Sequence, residues 1–134
     1  MSHGVRAINQ DDPLTQLYPY GYNIFMNIAY YTTASGRSPV VDYIKRQVKK
    51  ERAGLIEALE MIEILGFDAP RMSFRQIRDK LWEIKIKRNL SHRIFYVVIV
   101  KNEMVLLHAY QKKSQKAPKK EIELAEKRMK EIFE

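Results

Sequence analysis

The hydrophobic and polar positions in the second half of the chain predict three neighbouring β-strands. In "LWEIKIK" (81–87) the apolar Trp82, Ile84 and Ile86 alternate with the charged Glu83, Lys85 and Lys87, which is typical of a half-buried strand with a charged open face. "HRIFYVVIV" (92–100) is almost continuously apolar and β-prone, as expected of a central strand. After the tight turn "KNE", "MVLLHAYQ" (104–111) predicts the last strand of a three-stranded meander.

The first half has a helical pattern with clear start and stop signals. Ser38 is a suitable N-cap, Pro39 fits the first helical position, and Asp42 in the first turn favours the helix dipole. Apolar residues then recur at helical spacing as far as Gly66, a natural terminator. The polar stretch "KKER" (49–52) interrupts this stripe, and we interpret the segment as two helices rather than one bent helix.

The remaining segments complete a small α+β domain. Residues 24–32 predict a first strand, and residues 67–80, which contain Pro70 and a polar mixture, predict a loop. Pro118 opens a final amphipathic helix. The predicted order is β–α–α–β–β–β–α, a single domain in which an N-terminal helical pair and a C-terminal helix pack on one face of a small, mostly antiparallel sheet.

The N-terminal segment and the amino-acid composition exclude several classes of protein. Glycines and prolines interrupt residues 1–23, so we expect an irregular N-terminal extension before a domain at 24–134, and the extension lacks the apolar core of a signal peptide. No stretch approaches the ~18 apolar residues of a membrane span. The chain of 134 residues has no cysteine, which excludes disulfides and thiolate metal sites and fits a reducing cytoplasm.

The charge is distributed unevenly. Residues 1–70 carry 7 Lys/Arg and 8 Asp/Glu, whereas residues 71–134 carry 17 and 8, so the whole net charge of +8 comes from the second half. Residues 85–120 alone hold ten basic side chains and one acid, Glu103. Lysine-rich loops can serve solubility alone, but so local an excess favours a polyanion site.

The predicted strands bring part of this charge to one surface. The open face of the sheet, together with the chain that leaves the last strand, has the parts of an RNA site, because cations neutralise phosphates and aromatic rings stack on splayed bases. The side chains predicted to contribute there are Lys85, Lys87, Arg93, Lys112 and Lys113, with Tyr110 and Tyr96 nearby.

Other chemistries have little support in the sequence. A phosphate-binding P-loop, a dinucleotide fingerprint, a zinc-protease motif and a nucleophile elbow are all missing. His3, His92 and His108 are too few and too scattered to indicate a metal site, and no cofactor is expected. Glu83 has two readings, as a general base or as a carboxylate that orders the neighbouring cations through ion pairs.

Five segments in order carry a resemblance to a known family: "SGRSPVVDYIK", "LWEIKI", "HRIFYVV", "VLLHAYQKKSQKAP" and "EIELAEKRM". Over about residues 26–133 the chain resembles the phage-derived HigB-like toxins of the RelE superfamily. The resemblance implies the toxin of a type II toxin–antitoxin pair, a metal-independent endoribonuclease that cuts mRNA on the ribosome and blocks translation. It also implies a cognate antitoxin, typically a helix-turn-helix DNA-binding protein, as partner.

The resemblance also implies roles for individual residues. Lys85 and Lys87 match basic positions assigned to proton transfer and phosphate binding, Arg93 matches a transition-state clamp, and Lys113 matches the basic residue after the last strand. Lys119 stands where the best-known relatives have a tyrosine. The further candidates for RNA binding are Arg88, Lys112, Lys116, Tyr110 and Tyr96. The alternative functions are a non-catalytic RNA- or DNA-binding module and a protein-interaction domain of the same fold.

Overall fold

The computed structural model describes residues 26–100, 102–114 and 118–134. The predicted extension at 1–23 and Lys116 lie outside these residues. The elements in chain order are β1 (Asn27–Tyr30), α1 (Pro39–Arg46), α2 (Lys49–Leu65), a 3₁₀ turn (Gly66–Asp68), β2 (Met72–Arg78), β3 (Leu81–Lys87), β4 (Ser91–Val100), β5 (Glu103–Gln111) and α3 (Lys119–Phe133). The predicted α+β class is confirmed, and the described part of the predicted first strand is the shorter β1.

The helical pair begins and ends where its sequence signals lie. The Ser38 hydroxyl accepts a hydrogen bond from the backbone N–H of Val41, and Pro39 occupies the first turn of α1. The chain leaves the helical conformation at Gln47 and Val48 before α2 starts. Gly66 follows α2 with a φ of 60°, which glycine adopts without a steric penalty. The prediction of two helices is therefore confirmed.

The prediction of a loop over residues 67–80 was wrong, because β2 lies within it. The five strands form one sheet in the order β1-β5-β4-β3-β2, with β1 parallel to β5 and the other pairs antiparallel. As an edge strand β2 pairs only with β3 and exposes most of its residues, so its hydrophobic signal is weak. Arg71 and Asp79, both with positive φ, bracket this strand.

The sheet has a hydrophobic core on each face, and this corrects the expectation that all helices share one face. Helices α1 and α2 cover the face that carries Ile84, Ile94 and Leu106. Helix α3 covers part of the opposite face through Ala125 and Met129, which pack with a cluster that includes Phe95. A strand that is apolar on both faces, as β4 is, requires a cover on each side.

A buried polar chain connects the helical pair to β4. The Tyr43 hydroxyl lies 2.6 Å from Nδ1 of His92, and Nε2 of His92 lies 2.9 Å from Oε1 of Glu51. The same carboxylate accepts the backbone N–H of Leu90. Burial alone would raise the pKa of Glu51, but the hydrogen bonds from His92 and Leu90 bring this pKa below its usual value. The arrangement therefore fixes the start of β4, where His92 immediately precedes Arg93.

The helices of the described part of the chain include none that is both long and apolar enough to cross a membrane.

Candidate nucleic-acid interface

A polar cleft lies on the face of the sheet that α3 partly covers. Its volume is about 340 Å³. Four strands or their ends supply the lining, which consists of Ser73, Arg75, Glu83, Lys85, Arg93 and Lys112. Strand pairing places these residues together, because Ser73 lies opposite Lys85, Lys85 opposite Arg93, and Arg75 opposite Glu83. The alternation read from "LWEIKIK" therefore corresponds to the observed faces of β3.

Glu83 is the organising group at the bottom of the cleft. Only 2% of this residue is exposed. Its Oε1 atom lies 3.0 Å from Nη2 of Arg75 and 3.6 Å from Nη1 of Arg93, and its Oε2 atom accepts a hydrogen bond from the Tyr110 hydroxyl at 3.3 Å. A buried carboxylate requires such partners. Of the two readings of Glu83, this geometry favours the carboxylate that orders cations.

Arg93 is held close to this floor, and its side chain is 10% exposed. Within the described residues its buried Nε atom has no hydrogen-bond partner. A buried donor without a partner carries a free-energy cost. Lys85 on the adjacent strand is exposed on the same face. Arg93 and Lys85 therefore place two cationic side chains next to each other on this face of the sheet.

Tyr110 supports the floor of the cleft and does not offer its ring to a base. The ring is buried and stacks on Phe95 at a centroid distance of 5.6 Å. Burial raises the pKa of the Tyr110 hydroxyl, and the charge of Glu83 raises it further. Tyr110 is therefore protonated at neutral pH and acts as a hydrogen-bond donor to Glu83.

Several predicted site residues lie outside the cleft. Lys87 is exposed at the end of β3 on the same face, and Lys113 is exposed just beyond β5. Arg88 packs its guanidinium against Gly54 of α2, so closely that a Cβ atom on Gly54 would lie 2.4 Å from Nε of Arg88. Tyr96 is 1% exposed within the core under α1 and α2, and its ring is not available to an RNA base in this fold.

The two cleft residues that sequence reasoning missed are Ser73 and Arg75, both on β2. The segment "MSFRQIR" did contain a signal, because Met72 and Phe74 alternate with them and pack on the core. Because Pro70 and the polar neighbours indicated a loop, this short alternation was not interpreted as a strand.

His108 lies beside the cleft, against α3. Its Nε2 atom is hydrogen-bonded to Glu121, and Nη1 of Arg128 donates to its Nδ1 atom at 3.3 Å. A ring nitrogen that accepts from arginine belongs to a neutral imidazole. Burial lowers the pKa of His108 and the charge of Arg128 lowers it further, which outweighs the opposing effect of Glu121. His108 is therefore neutral in the folded protein at neutral pH.

We expect this histidine to make folding stability depend on pH. Since the pKa of His108 is lower in the folded than in the unfolded chain, its contribution is complete above the ordinary value of 6.5 and is lost as the pH falls through the folded pKa. Urea unfolding between about pH 8 and about pH 5 should show a steeper loss of stability in the wild type than in His108→Gln. Parallel pH profiles for the two proteins would contradict this assignment.

The part of the chain that the structure describes contains no group of three or more histidine, aspartate or glutamate side chains able to hold a metal ion. The cleft itself has a single carboxylate among cationic and hydroxyl groups, a set of donors suited to an anion and not to a metal ion.

Fold and cleft together define a small α+β domain with a cleft on its sheet that is lined mainly by cationic side chains. A comparison with family profiles matches residues 42–130 to the phage-derived Gp49-like proteins. This match covers well over half of the chain, which therefore belongs to the Gp49-like family, a family of RelE/HigB-like toxins. A search of curated proteins found no match.

Proposed function

We propose that this protein is the toxin of a type II toxin–antitoxin pair, of the HigB kind, and that it cleaves mRNA on the ribosome. The observation that carries the proposal is the pair of cationic side chains, Arg93 and Lys85, in one cleft with the buried carboxylate of Glu83. The localisation of the positive charge in the second half of the chain and membership of a RelE/HigB-like toxin family support the same function.

The proposed reaction is a transesterification within the RNA. The ribose 2′-oxygen attacks the adjacent phosphorus, the bond from phosphorus to the 5′-oxygen of the next nucleotide breaks, and a 2′,3′-cyclic phosphate remains. One proton passes from the 2′-hydroxyl to solvent water, and one proton is added to the departing 5′-oxygen. The reaction therefore requires a cation beside the developing phosphorane charge and groups that transfer protons.

In this proposal different residues of the cleft stabilise charge, donate a proton and bind the RNA. Arg93 is fixed by Glu83 and brings a positive charge to the floor of the cleft, so it stabilises the charge of the transition state. Lys85 lies on the neighbouring strand with an ammonium group that binds the phosphate and donates a proton to the leaving oxygen. Lys87, Lys112 and Lys113 extend the positive surface along the RNA.

The proposal includes the partners and the compartment of such a toxin. The substrate is mRNA in the ribosome, in the cytoplasm, and the inhibitor is a cognate antitoxin, a helix-turn-helix DNA-binding protein that covers the basic site. Electrostatic attraction between a basic cleft and an acidic segment of the antitoxin would give rapid association.

The test is mRNA cleavage during cell-free translation, with strand breaks mapped by primer extension. The wild type should produce breaks and arrest translation, and Lys85→Ala should produce far fewer, because it lacks one phosphate contact and the proton donor. Lys50→Ala is the matched control, because Lys50 is an exposed lysine of α2, away from the cleft. Intact mRNA with wild-type protein, beside an active toxin of known activity, would overturn the proposal and favour a non-catalytic binding module.

A further inference from the structure

The edge strand β2 brings a second arginine to the cleft. Arg75 shares Oε1 of Glu83 with Arg93, at 3.0 Å and 3.6 Å respectively. The two arginines nevertheless differ in position, since the side chain of Arg75 is 64% exposed at the rim whereas that of Arg93 is almost buried at the floor. Glu83 therefore holds two guanidinium groups at different depths of one cleft.

The cleft contains more positive charge than is required to neutralise Glu83, and Arg75 is part of this excess. One buried carboxylate is neutralised by one cation, and Arg93 and the Tyr110 hydroxyl already contact it. With Arg75, Lys85 and Lys112 added, four cationic side chains line a cleft that has a single carboxylate. Although Arg75 contacts the buried Glu83, its own side chain is 64% exposed, so most of its guanidinium surface faces the open cleft.

The position of β2 indicates which part of an RNA chain Arg75 would contact. Adjacent strands are about 4.8 Å apart, so β2 widens the cationic surface by one strand beyond β3. An RNA chain that places one phosphate over Arg93 leaves the cleft across its rim. On the β2 side the rim carries Arg75, with the hydroxyl of Ser73 two residues away on the same face.

We propose that Arg75 is a substrate-binding residue that contacts the phosphate next to the scissile one, so that the cleft recognises two successive phosphodiesters of single-stranded RNA. This inference rests on the proposed function. It assigns different roles to the two arginines that share Glu83. Arg93 acts on charge that develops in the transition state, whereas Arg75 contributes binding that is equal in substrate and transition state.

The test compares Arg75→Gln with Arg78→Gln, which removes the same charge from the same strand. Arg78 pairs with Glu126 of α3 and does not line the cleft. Binding of a fluorescent single-stranded RNA oligonucleotide is measured between about 50 mM and 200 mM salt. Arg75→Gln should make the slope of log affinity against log salt shallower by about 0.7, the value of one phosphate contact, and Arg78→Gln should leave it unchanged.

Cleavage kinetics give the second readout. Arg75→Gln should raise KM and leave kcat unchanged, because it removes uniform binding, and Arg75→Lys should restore part of the affinity through its charge. A fall in kcat at constant KM, or a salt slope equal to that of wild type, would overturn the role of Arg75. A wild type that neither binds nor cuts RNA would overturn the proposed function itself, so the two failures are distinguishable.

Discussion

Replacing Arg93 with glutamine should lower the rate of mRNA cleavage roughly 100- to 1,000-fold, the usual effect of removing one preorganised group that stabilises transition-state charge. Glutamine keeps a polar side chain of similar reach but cannot supply a cation to the phosphorane. Glu83 retains Arg75 and the Tyr110 hydroxyl, so the floor of the cleft keeps two of its contacts. The measurement is the rate of strand breakage per folded molecule in cell-free translation.

The control for this change is Arg37→Gln, which has the same effect on net charge. Arg37 is exposed and pairs with Asp42 at the start of α1, on residues that do not line the cleft. Thermal unfolding of both variants establishes that they are folded before their rates are compared. A rate for Arg93→Gln equal to that of Arg37→Gln would show that Arg93 takes no part in the reaction.

The second large effect concerns stability. In Glu51→Ala the ring of His92 and the backbone N–H of Leu90 lose their common acceptor inside the protein. A buried donor without a partner costs roughly 1–3 kcal/mol, and the partly buried N–H of Leu90 adds to the cost for His92, so we expect the free energy of unfolding to fall by about 3 kcal/mol. Urea denaturation at neutral pH measures this change, with Glu57→Ala, an exposed position on the same helix, as the control.

The pKa of Glu51 adds a pH dependence to this prediction. Because this pKa is lower in the folded protein, the stabilisation is complete above the usual value of 4.5 and is lost as the pH falls through the folded pKa. Glu51→Gln should therefore flatten the loss of stability in acid. Equal stability of Glu51→Ala and Glu57→Ala would contradict the role given to the buried chain of hydrogen bonds.

Local signals explain which parts of the fold were predictable. Ser38, Pro39 and Gly66 fix the ends of the helices by chemistry within a few residues, and the alternation in β3 fixes its two faces. The sheet contact of α3 was not predictable in this way, because an amphipathic stripe shows that a helix packs but not on which face. The apolar residues on both faces of β4 were the sequence signal that both faces of the sheet are covered.

The cleft was predictable only in part, for a physical reason. Lys85 and Arg93 follow from alternation on two long strands, but their partner Arg75 is placed by pairing between strands that no local pattern determines. The burial of Glu83 likewise depends on Arg75, Arg93 and Tyr110 meeting in space. The assumption that Tyr96 shares the face of Tyr110 failed because strand pairing places the two rings on opposite faces.

His92 and Arg93 are neighbours in the chain, yet they belong to opposite sides of the sheet. His92 belongs to the hydrogen-bond chain beneath the helical pair, and Arg93 belongs to the cleft. Two adjacent codons therefore specify side chains with separate roles, one in the stability of the fold and the other in the proposed cleavage of RNA. If the proposed function holds, a change of the second codon alone should separate folding from activity, so that growing cells would tolerate the variant at levels at which the wild type arrests them.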